Sequence, residues 1–547
     1  MSHHPTHPRR RSLRTGLAAL AISAALLASC GSSPEADGAT TEGADEPELS
    51  IEDLTYIRAV SSEPSNFNAQ METGEVAVRF SSAMLEPLVR ITPEYEIIPA
   101  LAKSWELSDD GLELTLRLEE DVRWHDGTPF TSADVKFNFE EIVELQTFGG
   151  ALVENLTAVD TPDEHTVVLT YTQQYGPLLE AISQQFMLPA HVYEGTDYVT
   201  NPANMAPVGT GPMVFESYSP GSEVVLLKNE DYWAGEPTVE RAIFPIIQDA
   251  NARALAMLNG EIDEADLDAA QQDQLSDADH LVQLDETSYF PQNIRLMLNG
   301  TSEYLSDAEV RKLIFAAIDR EAIAELALGG LGSATNGFVH PSASWALHPD
   351  VDFDQDFPRD IEAIRAGLDD AGFPVQDDGL RFTLNARYIA THPDATATAE
   401  VIRSSLGDID VGLDMLTSAA PVFSETVYAE GDFDLAVIRT TRGGVDPALA
   451  LELWFTCNPD NVNGRNPSGL CNEELHDATE RSLAFADREE RVPHLHTMQE
   501  LGRDMMIYAP LAWFNGAFPT VNTARWNDVA GPGANMTNWL GMTPGER

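Results

Sequence analysis

Residues 116–140 read LRLEEDVRWHDGTPFTSADVKFNFE, and this stretch predicts a strand, a tight turn and a helix in succession. The overlapping segment LELTLRL, residues 112–118, alternates apolar and polar side chains, as a half-buried strand does. Asp126-Gly127 is a turn dipeptide, and the residue before Pro129 is disfavoured in the helical conformation. The strand therefore ends in a turn before any helix can begin.

The helix is predicted for TSADVKFNFEEIVE, residues 131–144. Thr131 or Ser132 can cap its first turn, which also carries an acidic residue. Three apolar side chains then fall on one helical face, those of Val135, Phe139 and Ile142. An earlier segment, LTYIRAV at residues 54–60, predicts a first strand. Strand and helix signals alternate along the rest of the chain, which predicts an α/β protein.

His125 and Asp126 raise a functional question, because a histidine beside a carboxylate can belong to a catalytic or metal site. Their position inside a predicted turn favours a structural role. VGTGP at residues 208–212 resembles a phosphate loop, but no Lys-Ser/Thr follows in register, so its glycines are also interpreted as structural. His494 and His496 are two apart on a predicted helix, point to different faces and lack a third ligand. We predict no catalytic residue, no metal site and no cofactor.

The first 29 residues predict a lipoprotein signal peptide. Arginines precede an uncharged apolar run at residues 16–28, which is shorter than the about 20 residues that a membrane-spanning helix needs. The run ends in Leu27-Ala28-Ser29-Cys30-Gly31, which resembles a bacterial lipobox. We expect lipidation of Cys30. An ordinary signal peptide with an incidental cysteine is the alternative, and the paired arginines leave twin-arginine export open.

Residues 30–49 are predicted to form a flexible tether, because they contain no aromatic residue and consist mostly of small and acidic ones. No later apolar run approaches the length of a membrane span. The remainder is therefore expected outside the cytoplasm, as a soluble body held near the membrane by the lipid.

Acidic side chains outnumber basic ones by 89 to 32, for a formal net charge of −57. The electrostatic field of so negative a protein repels phosphate backbones and anionic membrane surfaces, which argues against nucleic acid as a partner. We interpret the charge as a solvated surface suited to a salty medium.

With Cys30 lipidated, Cys457 and Cys471 remain as an even number of cysteines in an exported chain, and we expect them to form a disulfide. Two buried free thiols or half of a zinc site are the alternatives. The nearest histidine, His476, makes no ligand pattern with the two cysteines.

The opening stretch resembles the hallmark segment of the family 5 extracellular solute-binding proteins, the dipeptide, oligopeptide and nickel binders of ABC importers. The resemblance continues in order along nearly the whole mature chain. The matching segments are LVRITPEYEIIPALAKSWELSDDGLELTLRL (88–118), APVGTGPMVFESY (206–218), LLKNEDYWAGEP (226–237), ALAMLNGEIDEADL (254–267), DAEVRKLIFAAIDREAI (307–323), IEAIRAGLDDAGFP (361–374) and GDFDLAVIRTTRGGVDP (431–447). Each motif is short, but their number, order and spacing make the set specific.

This resemblance implies a two-lobed periplasmic-binding-protein fold with a ligand cleft between two α/β lobes and an extra subdomain in the first. The implied boundaries are 1–29 for the signal peptide, 30–49 for the tether, 50–297 for the first lobe with its subdomain at about 90–190, 298–510 for the second lobe, and 511–547 for a return segment to the first lobe. Two strands that cross between the lobes would form the hinge, and the ligand would be buried as the lobes close.

By position alone, the resemblance also implies cleft residues. The loop after the first strand contributes Ser62 and Glu63 from one lobe. The second lobe contributes the segment Thr440, Thr441, Arg442, Gly443 and Asp446. Trp513 and Asn515, near the return crossing, complete the set.

Gly443 departs from the pattern of the family's dipeptide binders, in which an aspartate three places before the Asp-Pro captures the ligand's amino group. The departure argues against a simple dipeptide specificity. Arg439 and Arg442 lie in the same segment, and residues three apart on a strand point to opposite faces. We expect Arg442, next to the glycines, to face the cleft, where a guanidinium favours an acidic ligand group and disfavours a free amine.

The predicted function is that of a monomeric, lipid-anchored substrate-binding protein without enzymatic activity. It is expected to bind a peptide or similar small solute and to deliver it to the permease subunits of an ABC importer. One alternative is an exported hydrolase that uses a carboxylate pair in the cleft. The other is a nickel-chelate or sugar receptor of the same fold.

Overall fold

Two mixed β-sheets, one of seven strands and one of six, organise the protein in the computed structural model. The structure describes residues 50–545 apart from residues 53, 72–74, 147–148, 268, 285–290, 440–444, 463, 516–518 and 534–535. All described residues belong to one compact unit that starts at Ser50. The predicted signal peptide and tether, with Cys30, lie outside the described residues. No helix in the described part of the chain is long and apolar enough to cross a bilayer.

The strands are numbered in chain order and vary from two to eight residues in length. They are β1 (Thr55–Ala59), β2 (Val89–Ile91), β3 (Ile97–Pro99), β4 (Ala102–Leu107), β5 (Glu113–Leu118), β6 (Leu156–Asp163), β7 (Thr166–Tyr171), β8 (Met213–Ser219), β9 (Glu223–Lys228), β10 (Arg241–Pro245), β11 (Glu264–Asp266), β12 (Leu281–Gln283), β13 (Pro291–Leu298), β14 (Gly332–Ala334), β15 (Thr383–Ile389), β16 (Gly412–Ser418), β17 (Leu435–Arg439), β18 (Tyr508–Asn515), β19 (Pro519–Asn522), β20 (Trp526–Asn527) and β21 (Thr543–Pro544).

The α-helices are α1 (Glu75–Met84), α2 (Ser132–Phe137), α3 (Gly149–Val153), α4 (Leu178–Ile182), α5 (Ala190–Tyr193), α6 (Ala250–Leu258), α7 (Ala269–Leu275), α8 (Ala308–Ala317), α9 (Arg320–Ala322), α10 (Phe353–Asp356), α11 (Ile361–Asp370), α12 (Pro393–Gly407), α13 (Ala420–Ser424), α14 (Pro447–Phe455), α15 (Glu473–Ala484) and α16 (Arg488–Met505). Short π-helical turns extend three of them, at Asn138–Ile142, Ile323–Ala327 and Glu425–Ala429. Short 3-10 segments occur at Val143–Leu145, Pro202–Asn204 and Pro341–Ala346, and the last of these is kinked at Ala343.

The seven-stranded sheet has the order β12-β19-β11-β1-β10-β9-β8. β1 lies at its centre and runs parallel to β10 and β11, so the predicted first strand is confirmed. β19, which comes from the end of the chain, inserts antiparallel between β11 and β12. Buried aromatic side chains pack on this sheet, among them Tyr56, Phe80 and Trp526.

A separate antiparallel sheet of order β4-β5-β7-β6 contains the stretch that begins at residue 116. On β5 the side chains of Leu114, Leu116 and Leu118 are buried while Glu113 and Arg117 are exposed, as the alternation predicted. The carboxylate of Asp134 accepts a hydrogen bond of 3.0 Å from the backbone N–H of Thr131, which closes the first turn of α2. The predicted apolar face of the helix is confirmed, because Val135, Phe139 and Ile142 are all buried.

The six-stranded sheet has the order β14-β18-β13-β17-β15-β16. β15, β16 and β17 are parallel to one another, whereas β13 runs antiparallel to both β17 and β18.

The helical pattern of residues 307–323 is interrupted in the structure. α8 ends at Ala317, Ile318 has an extended conformation, and Asp319 caps α9 by accepting a hydrogen bond from the N–H of Ala322.

The chain passes between the two large sheets twice, after β12 and after β18. The second passage joins Asn515 to Pro519, so four Cα–Cα steps of about 3.8 Å limit it to about 15 Å. The two passages are neighbours at both ends. Asn515 pairs with Pro291 in the six-stranded sheet, and Thr520 pairs with Gln283 in the seven-stranded sheet.

The lobe boundaries stay a prediction. The seven-stranded sheet draws its strands from residues 55–283 and 519–522, and the six-stranded sheet from residues 291–515. The predicted boundaries at 297/298 and 510/511 fall within β13 and β18, two strands of the six-stranded sheet.

Cys457 and Cys471 are joined by a disulfide in the structure, with their Cα atoms 4.8 Å apart. The bridge closes the connection between α14, which ends at Phe455, and α15, which begins at Glu473.

Candidate functional site

The carboxyl ends of parallel strands in both sheets lie beside the two passages. In the seven-stranded sheet, Asp266 ends β11 and pairs with Pro519, the first residue of β19. In the six-stranded sheet, β17 ends at Arg439, next to Ile294 near the start of β13. Ligands of open α/β sheets bind outside the carboxyl ends of the strands. The region between these two edges, beside the passages, is therefore the candidate site.

Ser62 and Glu63 follow the carboxyl end of β1, as predicted, and both are exposed. The carboxylate of Glu63 accepts hydrogen bonds from the hydroxyl of Tyr218 and, at 2.5 Å, from the N–H of Gly221. The first of these bonds raises the pKa of Tyr218 to about 12. Glu63 thus ties the loop after β1 to the turn between β8 and β9. A ligand contact at Ser62 or Glu63 stays a prediction.

Ionic side chains that the sequence analysis did not single out hold β1 and β11 together at this edge. Arg58 pairs with Glu264 and, at 3.2 Å, with Asp266. Arg79 of α1 reaches the same Asp266 at 2.9 Å. Glu264 is fully buried, and burial raises its pKa well above the ordinary value. Three elements distant in sequence meet here, so no local pattern could have identified the cluster.

The second-sheet segment lies partly outside the described residues, because Thr440, Thr441, Arg442 and Gly443 fall in the range 440–444. Arg439 precedes this range in the chain and Asp446 follows it, and both are described. Arg439 forms an ion pair of 3.0 Å with Asp394 at the start of α12. Its guanidinium carbon lies 5.4 Å from the ring centre of Phe514 on β18. Arg439 is therefore held at the sheet edge by two neighbouring elements.

Asp446 is buried and begins α14. Its carboxylate accepts hydrogen bonds from the N–H of Ala448 at 2.8 Å and from Nη2 of Arg491 at 2.6 Å. Pro447 follows at the first helical position, where its missing N–H costs nothing. The Asp-Pro pair therefore starts a helix and anchors it to α16. A ligand contact of Asp446 is not tested by these bonds and stays a prediction.

Trp513 lies near the end of β18 and is 7% exposed. Its ring meets that of His340 edge to face, with 5.2 Å between centres. Nδ1 of His340 accepts a hydrogen bond of 3.1 Å from the N–H of Ser342, and burial lowers the pKa of His340 to about 4. The imidazole is therefore neutral at pH 7, with its proton on Nε2. Asn515 continues β18 and pairs with Pro291 through the backbone.

Residues of the segment 90–190 contact α15 and α16, which flank the six-stranded sheet. We refer to the contacting residues as the clasp: Tyr95, Gly176 and Glu180 from the segment, Leu483 from α15 and Arg488 from α16. The N–H of Gly176 donates to the carbonyl oxygen of Leu483 at 2.6 Å. Arg488 donates to the carbonyl oxygen of Tyr95 at 2.9 Å and pairs with Glu180 at 3.1 Å. Burial raises the pKa of Glu180, and the negative charge of Asp446 adds to this effect.

Trp345 connects the clasp to the buried ion pair of Asp446. The guanidinium carbons of Arg488 and Arg491 lie 5.1 Å and 5.4 Å from the centre of its ring. Tyr95 in turn hydrogen-bonds Ser342, the neighbour of His340. The predicted residues Trp513 and Asp446 are therefore linked through a continuous set of contacts. Ser62 and Glu63 are not part of this set.

The turn at residues 124–131 has the structural role that was predicted for it. The N–H of Gly209 donates to Nδ1 of His125 at 3.2 Å, and Nε2 of His125 donates to the carbonyl oxygen of Gly211 at 3.0 Å. Asp126 contacts His191 at 2.7 Å. A Cβ on Gly209 would lie 1.8 Å from the carbonyl oxygen of Met84, so this glycine is required for close packing.

Glu86 is a buried residue that the sequence analysis missed and that joins two of the short motifs. Its carboxylate accepts hydrogen bonds from the hydroxyls of Thr210 and Tyr232 at 2.9 Å and 2.8 Å, and from Nε1 of Trp233 at 2.8 Å. Thr210 belongs to VGTGP and the two aromatic residues belong to the segment 226–237. These motifs are therefore held together in the fold through Glu86.

His494 and His496 have different surroundings, in agreement with the interpretation of their spacing. The His494 ring stacks on Phe485, whereas Nε2 of His496 lies 2.9 Å from the carbonyl oxygen of Leu347. Among the described residues, no cluster of three or more His, Cys, Asp or Glu side chains is arranged to hold a metal ion.

Comparison with known proteins identifies the class. The family model for bacterial extracellular solute-binding proteins, family 5 Middle, matches residues 96–462. The chain is 26% identical over 419 residues to the probable D,D-dipeptide-binding periplasmic protein of Escherichia coli (strain K12), covering 75% of this chain and 78% of the relative. It is 23% identical over 477 residues to the nickel-binding periplasmic protein of the same organism, covering 79% and 84% of the two chains.

Among solved structures, the ABC transporter substrate-binding protein CtaP from Listeria monocytogenes superimposes with a TM-score of 0.80 at 23% identity, covering 90% of this chain and 99% of that one. The architecture is thus that of a two-lobed periplasmic binding protein, as the resemblance implied. The family match spans well over half of the sequence. The chain belongs to the bacterial extracellular solute-binding proteins, family 5.

Proposed function

We propose that this protein captures a peptide or a similar small solute between two closing lobes and delivers it to the permease of an ABC importer. One observation carries the proposal. The carboxyl edges of the two sheets lie at the ends of the two passages between the sheets, and one passage spans at most about 15 Å. A solute held there contacts both sheets, and its binding is coupled to their closure.

The proposed lobes follow the two sheets. Residues of the seven-stranded sheet and of the subdomain at about 90–190 form the first lobe, and those of the six-stranded sheet form the second. The clasp joins the two lobes on the side of the subdomain. A closed lobe arrangement explains why Tyr95 is buried in the apolar core of the six-stranded sheet.

The ligand-contacting residues are proposed in two groups. Trp513 and Asp446 belong to the connected set around Trp345, which supports their place at the closed interface. Ser62, Glu63, Thr440, Thr441, Arg442, Gly443 and Asn515 are proposed from their position in the chain alone.

Mass spectrometry of the solute released on denaturation tests the proposal. Protein purified without a denaturing step should release one solute class in near-stoichiometric amount. Trp513→Ala should release much less of it, while Val422→Ala, at a half-exposed residue outside the site, should release as much as wild type. Absence of a released solute, together with no binding of small peptides or nickel chelates by calorimetry, would overturn the proposal.

The same experiment separates a receptor from a hydrolase. A receptor returns the solute unchanged after prolonged incubation, whereas a hydrolase converts it. Members of the family are solute-binding proteins, which favours the receptor. A nickel-chelate receptor remains the second candidate, because a relative is a nickel-binding periplasmic protein. Metal analysis of the released material distinguishes it from a peptide receptor.

We further propose that the protein is a monomer anchored outside the cytoplasm by a lipid on Cys30. The lipobox pattern at residues 27–31 supports the lipid anchor, and the periplasmic location of a relative supports a place outside the cytoplasm. Cys30→Ala should move the protein from the membrane fraction to the soluble fraction and abolish labelling by a fatty-acid probe. Several acyl chains hold a protein firmly where one does not, so the shift should be nearly complete. Membrane retention of the variant would contradict the anchor.

A further inference from the structure

Arg295 on β13 differs from the other buried arginines in the described part of the chain. The others each have an ion pair or several carbonyl acceptors: Arg58, Arg320, Arg381 and Arg491 pair with carboxylates, and Arg253 and Arg311 donate to backbone carbonyls. Among the described residues, no carboxylate pairs with Arg295, and its Nε has no hydrogen-bond partner. No carboxylate of the described residues therefore neutralises its charge.

The surroundings of Arg295 are aromatic. Its guanidinium carbon lies 3.9 Å from the ring centre of Trp454 on α14. Trp454 stacks on Tyr508 of β18, with 6.0 Å between ring centres and 9° between planes. The hydroxyls of Tyr508 and Tyr428 are the polar groups that lie beside the guanidinium. Burial raises the pKa of both tyrosines, so both hydroxyls stay protonated and can donate.

A buried charge without a counter-charge is costly, and a cation–π contact recovers only part of that cost. The arrangement offers an anion a guanidinium and two phenol donors between flat aromatic surfaces. A planar carboxylate matches these donors, because guanidinium binds it through two parallel hydrogen bonds. The guanidinium hydrogen-bonds the hydroxyl of Tyr508, but its Nε has no acceptor among the described residues, so a carboxylate would supply the missing acceptor and the counter-charge.

The position of Arg295 relates it to the candidate site. On β13 it pairs with Ile438, the residue before Arg439 at the end of β17. Trp454 belongs to the helix that Asp446 begins. The guanidinium therefore lies between β17 and α14, on the six-stranded sheet's side of the site.

We propose that Arg295, with Tyr428, Tyr508 and Trp454, forms a buried subsite for a carboxylate group. In the captured solute this carboxylate would be an acidic group that enters the second lobe, and to that extent the inference rests on the proposed function. A free small carboxylate has the same chemistry and can occupy the subsite alone.

The first test measures the thermal midpoint of the ligand-free protein. Arg295→Met replaces the uncompensated charge by an apolar side chain of similar length, so the midpoint should rise by a few degrees. Arg253→Met is the matched control, because it removes a buried guanidinium that donates to carbonyls, and its midpoint should fall. A fall in the Arg295→Met midpoint like that of the control would overturn the proposal, since it would make Arg295 a structural residue.

The second test uses sodium acetate as the probe and acetamide as its neutral counterpart, at constant ionic strength. Acetate should raise the midpoint of the wild-type protein more than acetamide does, and this difference should vanish in Arg295→Met. Arg295→Lys keeps the charge and should retain part of the difference, which separates loss of charge from loss of folding. Equal responses of wild type and Arg295→Met to acetate would overturn the proposal.

The released solute links the subsite to the proposed function. If its carboxylate occupies the subsite, Arg295→Met should lower its affinity at least tenfold and leave that of its amide analogue unchanged. Equal losses for acid and amide would overturn the assignment of the subsite to the solute. If wild type releases no solute but the acetate response persists, the receptor proposal fails and the anion subsite stands.

Discussion

The guanidinium of Arg491 lies 2.6 Å from the carboxylate of Asp446, and the two side chains are 0% and 1% exposed. Arg491 also donates to the carbonyl oxygen of Ser482 at 2.7 Å. The pair joins the start of α14 to α16 and lies against Trp345, next to the clasp. It therefore couples the end of the predicted cleft segment to the contact between the proposed lobes.

Arg491→Met should lower the free energy of unfolding by about 3–5 kcal/mol, because it leaves the carboxylate of Asp446 buried without its partner. Urea unfolding followed by circular dichroism measures the change. Arg403→Ala removes an ion pair with Glu400 whose side chains are 55% and 47% exposed, and it should cost less than about 1 kcal/mol. Similar losses in the two variants would contradict the role assigned to the buried pair.

Gly176→Ala should open the clasp, since a Cβ at this position would lie 2.4 Å from the carbonyl oxygen of Phe485. We expect a larger radius of gyration in small-angle X-ray scattering and solute affinity reduced about tenfold, or about 1.4 kcal/mol. Gly150→Ala, where no atom lies within 4 Å of the added Cβ, is the control. Unchanged scattering and affinity in Gly176→Ala would show that the contact does not govern closure.

Reduction of the bond between Cys457 and Cys471 should destabilise the native protein. The cysteines are 14 residues apart, and a loop of about this length contributes roughly 3 kcal/mol on the chain-entropy account. Thermal melts with and without reductant measure the effect, and Cys457→Ser with Cys471→Ser should melt like the reduced protein. Quantitative labelling of both thiols in freshly exported, unreduced protein would show that the bond does not form in the cell.

Stability should fall as the pH drops from about 6.5 towards 4, in part because of His340. Its folded-state pKa of about 4 is below the unfolded value of about 6.5, so the unfolded chain takes up the proton first. The loss of stability is negligible above about pH 6.5 and reaches about 3 kcal/mol by pH 4. His340→Gln should flatten the pH dependence of the unfolding free energy over this window. An unchanged slope would mean that the ring is not buried as a neutral group.

Arg442→Ala should weaken binding of an acidic solute by about 2 kcal/mol and spare its amide analogue. The reason is that glycine at position 443 cannot pair with a ligand amine, whereas the guanidinium next to it can bind a carboxylate. Calorimetry on the matched ligands measures both values. Tight binding of unblocked dipeptides alone would place the amine elsewhere and make Arg442 a structural residue.

Features that depend on neighbours in sequence could be predicted. The strand, turn and helix at residues 112–144 follow from alternation, a turn dipeptide and a cap, and the structure has all three. The structural role of Gly209 could also be inferred, because the segment lacked the residues of a phosphate loop. Order and spacing of short motifs were sufficient to indicate the family and hence the two-lobed fold.

Features that depend on distant partners could not be predicted. Glu86 accepts a hydrogen bond from Tyr232, which is 146 residues away in the sequence. Asp446 accepts one from Arg491, which is 45 residues away. Nothing near these residues in the sequence signals the contact. Arg295 is harder still, because its distinguishing property is the lack of a counter-charge among the described residues, which only the packed structure reveals.

The insertion of β19 between β11 and β12 has a consequence for the order of synthesis. β19 occupies residues 519–522 of 547, whereas its neighbours in the sheet are made more than two hundred residues earlier. The seven-stranded sheet therefore contains the first strand to be synthesised, β1, but lacks its last strand until residue 522 is made. The six-stranded sheet has all of its strands once residue 515 is made. A nascent chain of this protein therefore carries an unfinished first sheet, with an open place for one strand, until residues 519–522 have been translated.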